Sequence, residues 1–386
     1  MPHTYRLFSS FDDIEPGAWE RARAECGASI VTDPRFLGAV ESSMKQSCQF
    51  WYVLVYDDES RPVACTLLTA MTVDLADFVD TRMAWVTRLL PLRQLKMLIC
   101  GLPVSTGHNA LGLASRSASR EVLLVIDAAI SELGSKLRMH GVVYREFRPS
   151  ELEWTSPLLD LGYSRITAPP NHFFQPLFQT LQHYCAALKS HYRKQIKRSM
   201  RKLELAGVEI RTLADPEQIL QVYTPEVHDL YHQVRDKADV KFEVITIDYL
   251  RELASQMGGQ LSLVVLEKAG RIIAFGWCLH SDSTYYMFYA GLDYALNDEL
   301  DLYFNLHYAA LDCALRKGVS RIELGPSADA FKARLGCYSE PSYLFAKGLT
   351  PLMSLVIRYG AGLLVPKSVA TPSFDVFNSD FAASMA

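Results

Sequence analysis

The sequence predicts an α/β (α+β) protein made of two similar domains in tandem, each a mixed sheet flanked by helices. Three observations carry this. The chain has 386 residues, longer than the ~250–300 at which a single hydrophobic core stops growing. Hairpin, helix and strand signatures occur in the same order in both halves, which points to two related units rather than one large sheet. Composition is that of a folded globular protein, with 49% apolar and 21% charged residues, and excludes a fibrous or generally disordered chain.

Each element has a local reason. In "FWYVLVYDDESRPVACTLLTAMTV" two β-rich apolar runs flank Asp57, Asp58, Glu59, Ser60 and Pro62, the pattern of an antiparallel hairpin. In "SREVLLVIDAAISELGSKLRMHG" Val122, Val125, Ile126, Ala129, Ile130, Leu133 and Leu137 recur at helical spacing, with Ser119 as N-cap and Gly141 as stop. "VVYREF" is the strand that follows. The second half repeats the plan: "LSLVVLEKAGRIIAFGWCLHSDSTYYMFYAGLD" predicts three strands with turns at 268–270 and 281–283. A helix then runs from a cap at Asn297 or Asp298 to Arg316, Lys317 and Gly318, its charges matching the helix dipole. "VSRIELG" is the next strand. The expected domains are 1–180, 181–350 and a terminal piece, 351–386. In the last, "LTPLMSLVIRYGAGLLVP" is an apolar helix too short to span a bilayer, packed on a domain or a partner. From Lys367 onward the polar composition predicts little fixed structure.

Between the halves, "KSHYRKQIKRSMRK" (189–202) holds seven Lys or Arg and no carboxylate, in a chain of net charge -4. Tyr192, Ile196, Met200 and Leu203 recur at four, four and three, so the segment predicts an amphipathic helix over 189–206 with its cations on the outer face. Such a face calls for an anionic partner, which tRNA, an acidic carrier protein or an anionic lipid surface would each provide. The mildly acidic whole excludes a general nucleic-acid coat. No basic start with an apolar run is present and no segment reaches ~20 apolar residues, so the expected location is cytoplasmic. The eight cysteines have no Cys-x-x-Cys spacing and are expected reduced and mostly buried, without a zinc site. "HDLYH" puts His228 and His232 four apart on an exposed helix, a weak metal signal that lacks a third ligand.

The run "YYMFYAGLDYALNDELDLYFNLHYAALDCALRKGVSRIELGPSADAFKARLGC" resembles the C-terminal domain of FemAB-like proteins, in the GNAT acyltransferase superfamily. The matching positions are Tyr289, Gly291 and Asp293 at a strand end, Tyr308 and Gly318 in the next helix, Glu323 and Gly325 on the next strand, and Lys332, Arg334 and Gly336. The basic segment is similar to the family's linking helix, and residues 30–165 resemble its diverged first domain. The resemblance implies two tandem GNAT domains and transfer of an acyl or aminoacyl group to an amine. The donor it implies is acyl-CoA, an acyl carrier protein or aminoacyl-tRNA, with no tightly bound cofactor.

Such chemistry needs a base for the amine, donors for the oxyanion and a proton for the leaving group. Glu323 or Asp293 is the expected base and Tyr289 or Tyr308 the expected acid. Lys332 is expected to hold an anionic group of a substrate, unless it and Glu323 simply form salt bridges. Arg193, Lys194, Lys197, Arg198 and Arg334 are expected to bind the donor. Two features depart from the family pattern. The long helical arm of the peptidoglycan branch is missing, and the Gly-rich pyrophosphate turn is replaced by "YALNDELD", whose Asp298, Glu299 and Asp301 repel phosphate from a helix start. The corresponding loop of the first half, "GLPVSTGHNALGLASRSASR", suits an anion better, with its glycines, Arg116 and Arg120. A competing expectation is a non-catalytic GNAT-fold protein that binds a partner or a membrane surface.

Overall fold

The computed structural model describes residues 3–24, 29–74, 94–237, 245–364, 372–379 and 381. Thirteen strands lie among them. The first six are β1 (Thr4–Phe8), β2 (Gln49–Tyr56), β3 (Pro62–Asp74), β4 (Gln94–Cys100), β5 (Leu111–Leu113) and β6 (Gly141–Phe147). The others are β7 (Ser164–Phe174), β8 (Val208–Leu213), β9 (Leu261–Lys268), β10 (Arg271–His280), β11 (Thr284–Leu292), β12 (Arg321–Gly325) and β13 (Tyr338–Gly348). The chain divides into two compact units: residues 1–169, 239–252 and 341–368, and residues 170–238, 253–340 and 369–386.

In the first unit β1, β2, β3 and β4 form an antiparallel meander, so the predicted hairpin is β2–β3. A parallel neighbour needs a crossover, and α1 (Ser119–Leu137) supplies it, returning the chain to pair β6 parallel to β4. Its apolar stripe is buried as the spacing predicts: Val122, Leu123, Ile126, Ala129, Ile130 and Leu133 pack with Val53, Leu98 and Val142. Each such side chain contributes about 1.5–3 kcal/mol by leaving water. The helix stops at Arg138, in the left-handed conformation with φ 55°, three residues before the expected stop at Gly141. The sheet is closed by β13, antiparallel to β6.

The second unit follows the same order. Antiparallel β8, β9, β10 and β11 are followed by β12 parallel to β11, and β7 closes the sheet antiparallel to β12. The closing strands are exchanged in sequence: β7 follows β6 yet pairs in the second unit, and β13 follows β12 yet pairs in the first. Within this unit the basic segment is α2 (Ser190–Leu205), burying Ile196, Ser199 and Leu203, and α3 (Pro225–Lys237) packs beside β11.

Two expectations need correction here. The helix expected from 297 or 298 is two helices, α4 (Tyr294–Leu300), capped by Asp293, and α5 (Leu302–Lys317). Asp301 breaks them with φ 50°, a conformation Asp tolerates better than most residues, and its carboxylate is held by Ser199 Oγ at 2.6 Å and Lys202 Nζ at 2.8 Å. The tail is also fixed where it is described. Val376 is buried, and Phe374, Phe377 and Phe381 pack on the core of the second unit; Lys189 N–H donates to Val376 O and Asn378 N–H to Ala187 O, each at 2.9 Å. Composition had hidden three aromatic anchors among small polar residues.

The expected apolar helix is present as Pro351–Leu364. No helix among the described residues is long and apolar enough to cross a membrane. Of the seven cysteines described, all free, Cys48, Cys65, Cys100, Cys185 and Cys278 are buried.

Candidate functional site

The second unit's sheet opens in its middle. β11 and β12 pair only at Thr284–Arg321, Tyr285–Ile322 and Tyr286–Glu323, although β11 runs on to Leu292 and β12 to Gly325. Both strands are bulged just past the last pair. On β11 Met287 faces Cys278 and Tyr289 faces Trp277, leaving Phe288 unopposed. On β12 Glu323 faces Phe173 and Gly325 faces His172, leaving Leu324 unopposed. A bulge bends its strand; two at one level part the strands there. Beyond Tyr286, β11 runs on without further pairing to β12 among the described residues.

Glu323 stands at the last pair before the gap. It is 6% exposed, and Arg321 Nε, two residues earlier on the same strand, lies 3.1 Å from its Oε1. The Arg321 guanidinium in turn rests 4.0 Å from the centroid of the Phe173 ring and 3.7 Å from Glu340. The next turn, Gly325–Pro326, is fixed by two buried side chains. Lys332, on α6 (Asp329–Arg334), donates from Nζ to Gly325 O at 2.9 Å and Pro326 O at 2.7 Å. His172 Nδ1 donates to Gly325 O at 3.2 Å, and its Nε2 lies 3.5 Å from Asp329. Burial pushes the Lys332 ammonium down to about 7 and lowers the imidazole pKa of His172, because desolvation disfavours a positive charge. His307, bonded to Tyr303 O at 2.8 Å, is pushed by burial to about 4.

The other predicted residues have distinct places. Tyr289 lies on β11 one residue past the bulge, its ring 6.2 Å from that of Tyr231. Two residues on, Gly291 is needed for close packing: a Cβ there would come within 2.2 Å of the Phe275 ring and 2.8 Å of the Tyr231 backbone nitrogen. Asp293 uses both oxygens, accepting from Ala295 N–H at 3.1 Å as a cap and from Arg271 at 2.9 Å. Tyr308 is 3% exposed in the core, where burial raises its pKa. Arg334 is exposed, 5.5 Å over the Phe374 ring. Glu323 and Lys332 therefore meet at one turn, and Tyr289 stands on the facing strand, whereas Asp293, Tyr308 and Arg334 are engaged in packing and capping.

On the basic helix Arg193 donates to Ala186 O at 3.3 Å, and Lys202 is neutralised by Asp301. Lys194, Lys197, Arg198 and Arg201 are exposed and have no ion pair among the described residues. Their spacing of three, one and three places them on one side of the helix.

The loop of the first unit is differently arranged. Ser105 Oγ and the Thr106 N–H bond to Glu146, Asn109 Nδ2 donates to Glu151 at 2.9 Å, and Arg120 pairs with Asp160 at 2.9 Å. Of the two cations expected to suit an anion, Arg120 is taken by a carboxylate, whereas Arg116 is exposed with no ion pair among the described residues. His228 is likewise not the exposed residue expected: it is 5% exposed, with Nδ1 2.9 Å from the Tyr223 hydroxyl.

Arg321, Phe288 and His172 were not foreseen. Arg321 could have been, since Arg-x-Glu on a strand puts both side chains on one face. His172 could not, because it reaches the site from another part of the chain.

Comparison with known proteins bears on the fold. Residues 190–333 match the family model of the acetyltransferase (GNAT) domain. No curated protein matches the chain. Among solved structures, the crystal structure of FemX superposes with a TM-score of 0.55 at 10% identity, covering 88% of this chain and 96% of that one. A tandem GNAT protein from the clavulanic acid biosynthesis pathway gives 0.54 at 14% identity, over 90% and 99%. L-PGS from Bacillus licheniformis gives 0.50 at 10%, over 91% and 96%. At such identities the structural likeness establishes the fold, which is that of tandem GNAT domains.

Proposed function

We propose, on the premise that residues 190–333 form an acetyltransferase (GNAT) domain, that this acyltransferase moves an acyl or aminoacyl group from a polyanionic carrier to an amine. The reading rests on the gap between β11 and β12, with Glu323 at its last pair. The donor carbonyl lies in the gap between β11 and β12, beside the bulge on β11. The amine nitrogen attacks the carbonyl carbon, the C–O or C–S bond to the carrier breaks, and Glu323 takes the ammonium proton and returns it to the leaving group. Lys332 and His172 hold the turn that follows Glu323, so their part is positioning.

A carrier rather than free CoA is favoured by charge. The start of α4 is already capped by the Asp293 carboxylate, which leaves no attraction for a pyrophosphate, whereas Lys194, Lys197, Arg198 and Arg201 form an unpaired cationic row. Aminoacyl-tRNA is the carrier that such a row fits best, with an acidic carrier protein as the alternative.

The test is a salt titration of tRNA binding, wild type beside Lys194→Ala/Arg198→Ala, with free CoA as competitor. Binding is expected to weaken steeply with salt, and the double variant to lower the slope by roughly two, since each lost phosphate contact removes about 0.7–0.9. Binding of an acyl carrier protein but not tRNA selects the alternative carrier. Equal competition by CoA overturns the carrier reading.

A further inference from the structure

The helix Pro351–Leu364 is apolar on two faces. Met353 and Ile357 are buried against Leu95, Ala346, Val143 and Ile166, which accounts for its attachment to the first unit. Leu352 (53% exposed), Leu355 (58%), Val356 (37%) and Tyr359 (71%) lie open instead. Their spacing of three, one and three puts them in one row along the helix, so this is a continuous stripe and not scattered surface residues. The exposed row contributes nothing to the core that holds the helix.

Charge identifies what covers the row. Residues 341–374 contain Lys347, Arg358 and Lys367 and no Asp or Glu, whereas 43 acidic residues in 386 would put about four into a stretch of this length. Arg358 sits 5.8 Å from the centroid of the Tyr359 ring, at the same end of the row. At the other end, a recess beside Leu349 and Thr350 is lined by Arg138, His140, Ser131 and Ser135. Arg138 is exposed and has no ion pair among the described residues. Lys347, which also lines the recess, is paired with Asp127 at 2.9 Å; Arg138 and Arg358 are the cations left at the two ends of the apolar row, an arrangement that matches the boundary between acyl chains and anionic headgroups, where Tyr and Arg are also favoured. A second copy of the chain fits less well. Stable interfaces take about 800 Å² and ~20–30 residues per partner, far beyond four side chains, and the cations flanking two such rows would repel. At 14 residues the helix is about 21 Å long, short of the ~30 Å hydrocarbon core, so it can lie on a bilayer but not cross one.

We infer that the helix Pro351–Leu364 is a docking surface for an anionic phospholipid membrane, with the row from Leu352 to Tyr359 entering the acyl boundary and Arg138 and Arg358 meeting the phosphates. The test is flotation of the full chain with vesicles of phosphatidylglycerol and phosphatidylcholine against vesicles of phosphatidylcholine alone. The wild type is expected to float with the anionic vesicles, and Leu355→Ser/Tyr359→Ser to reduce the bound fraction at least fivefold with an unchanged melting temperature, since both side chains are exposed. Arg138→Gln is expected to reduce it about twofold. Failure of the wild type to float, equal flotation with both vesicle types, or flotation unchanged in the double variant overturns the inference. So does a dimer in light scattering that the double variant dissociates, which would assign the row to self-association.

Discussion

The two units share their strand order but differ at the position we propose for the chemistry. Counting five residues from matched left-handed helix ends, Arg138 and Gly318, the first unit reaches Val143 and the second Glu323. Val143 lies among Leu95, Met353 and Ile357. Glu323 stands where two bulges part the sheet. The loop that follows β4 in the first unit gives donors to Glu146, while β11 in the second runs on past its last pair with β12. Two units of one strand order thus differ both in the side chain at the matched position and in the backbone beside it, which is packed in the first and parted by bulges in the second.

The sharpest way to break this comparison is at the matched pair. Glu323→Gln is expected to lower kcat by about 10²–10⁴-fold, the scale of a lost general base, with the donor identified by the binding experiment. Val143→Thr should leave kcat within twofold, and equal losses would mean that the units are not divided as described. A smaller effect is expected where the second unit's strand is closely packed. Gly291→Ala forces the Phe275 ring aside, and overpacking of this kind costs about 1–3 kcal/mol, readable as a shift of the denaturant midpoint.

A last effect, on stability alone, concerns Lys332. Its ammonium falls from 10.5 to about 7 in the folded protein, so between these values the unfolded chain binds more protons and stability rises with pH. That contribution is complete above 10.5 and is lost as pH falls toward 7. Lys332→Met should flatten the rise across that window in urea melts; an unchanged slope would mean that Lys332 is solvated.

The sequence made legible whatever is set by local pattern. The hairpin β2–β3, α1, the basic helix and the strand at 321–325 follow from alternation, helical spacing and charge within a few residues. The break at Asp301 did not, because its left-handed backbone is tied to Ser199 and Lys202, about a hundred positions earlier. Nor did His172, which reaches Gly325 from 153 positions away. At the site, Glu323, Tyr289 and Lys332 were visible through their motif, but the parting of the strands was not, since a bulge depends on the partner's register. Asp293 was marked by the same motif, and the structure gives its carboxylate to capping.

The exchanged closing strands also bear on how the chain is made. β6 ends at Phe147, and its antiparallel partner begins to pair only at Tyr343. At about 5–20 residues per second of synthesis, roughly 10–40 s separate the emergence of the two from the ribosome. Throughout that interval the first unit carries an unfinished sheet with a bare edge, a ready template for pairing with a neighbouring nascent chain. The first unit's sheet therefore cannot be completed before residue 343 has left the ribosome.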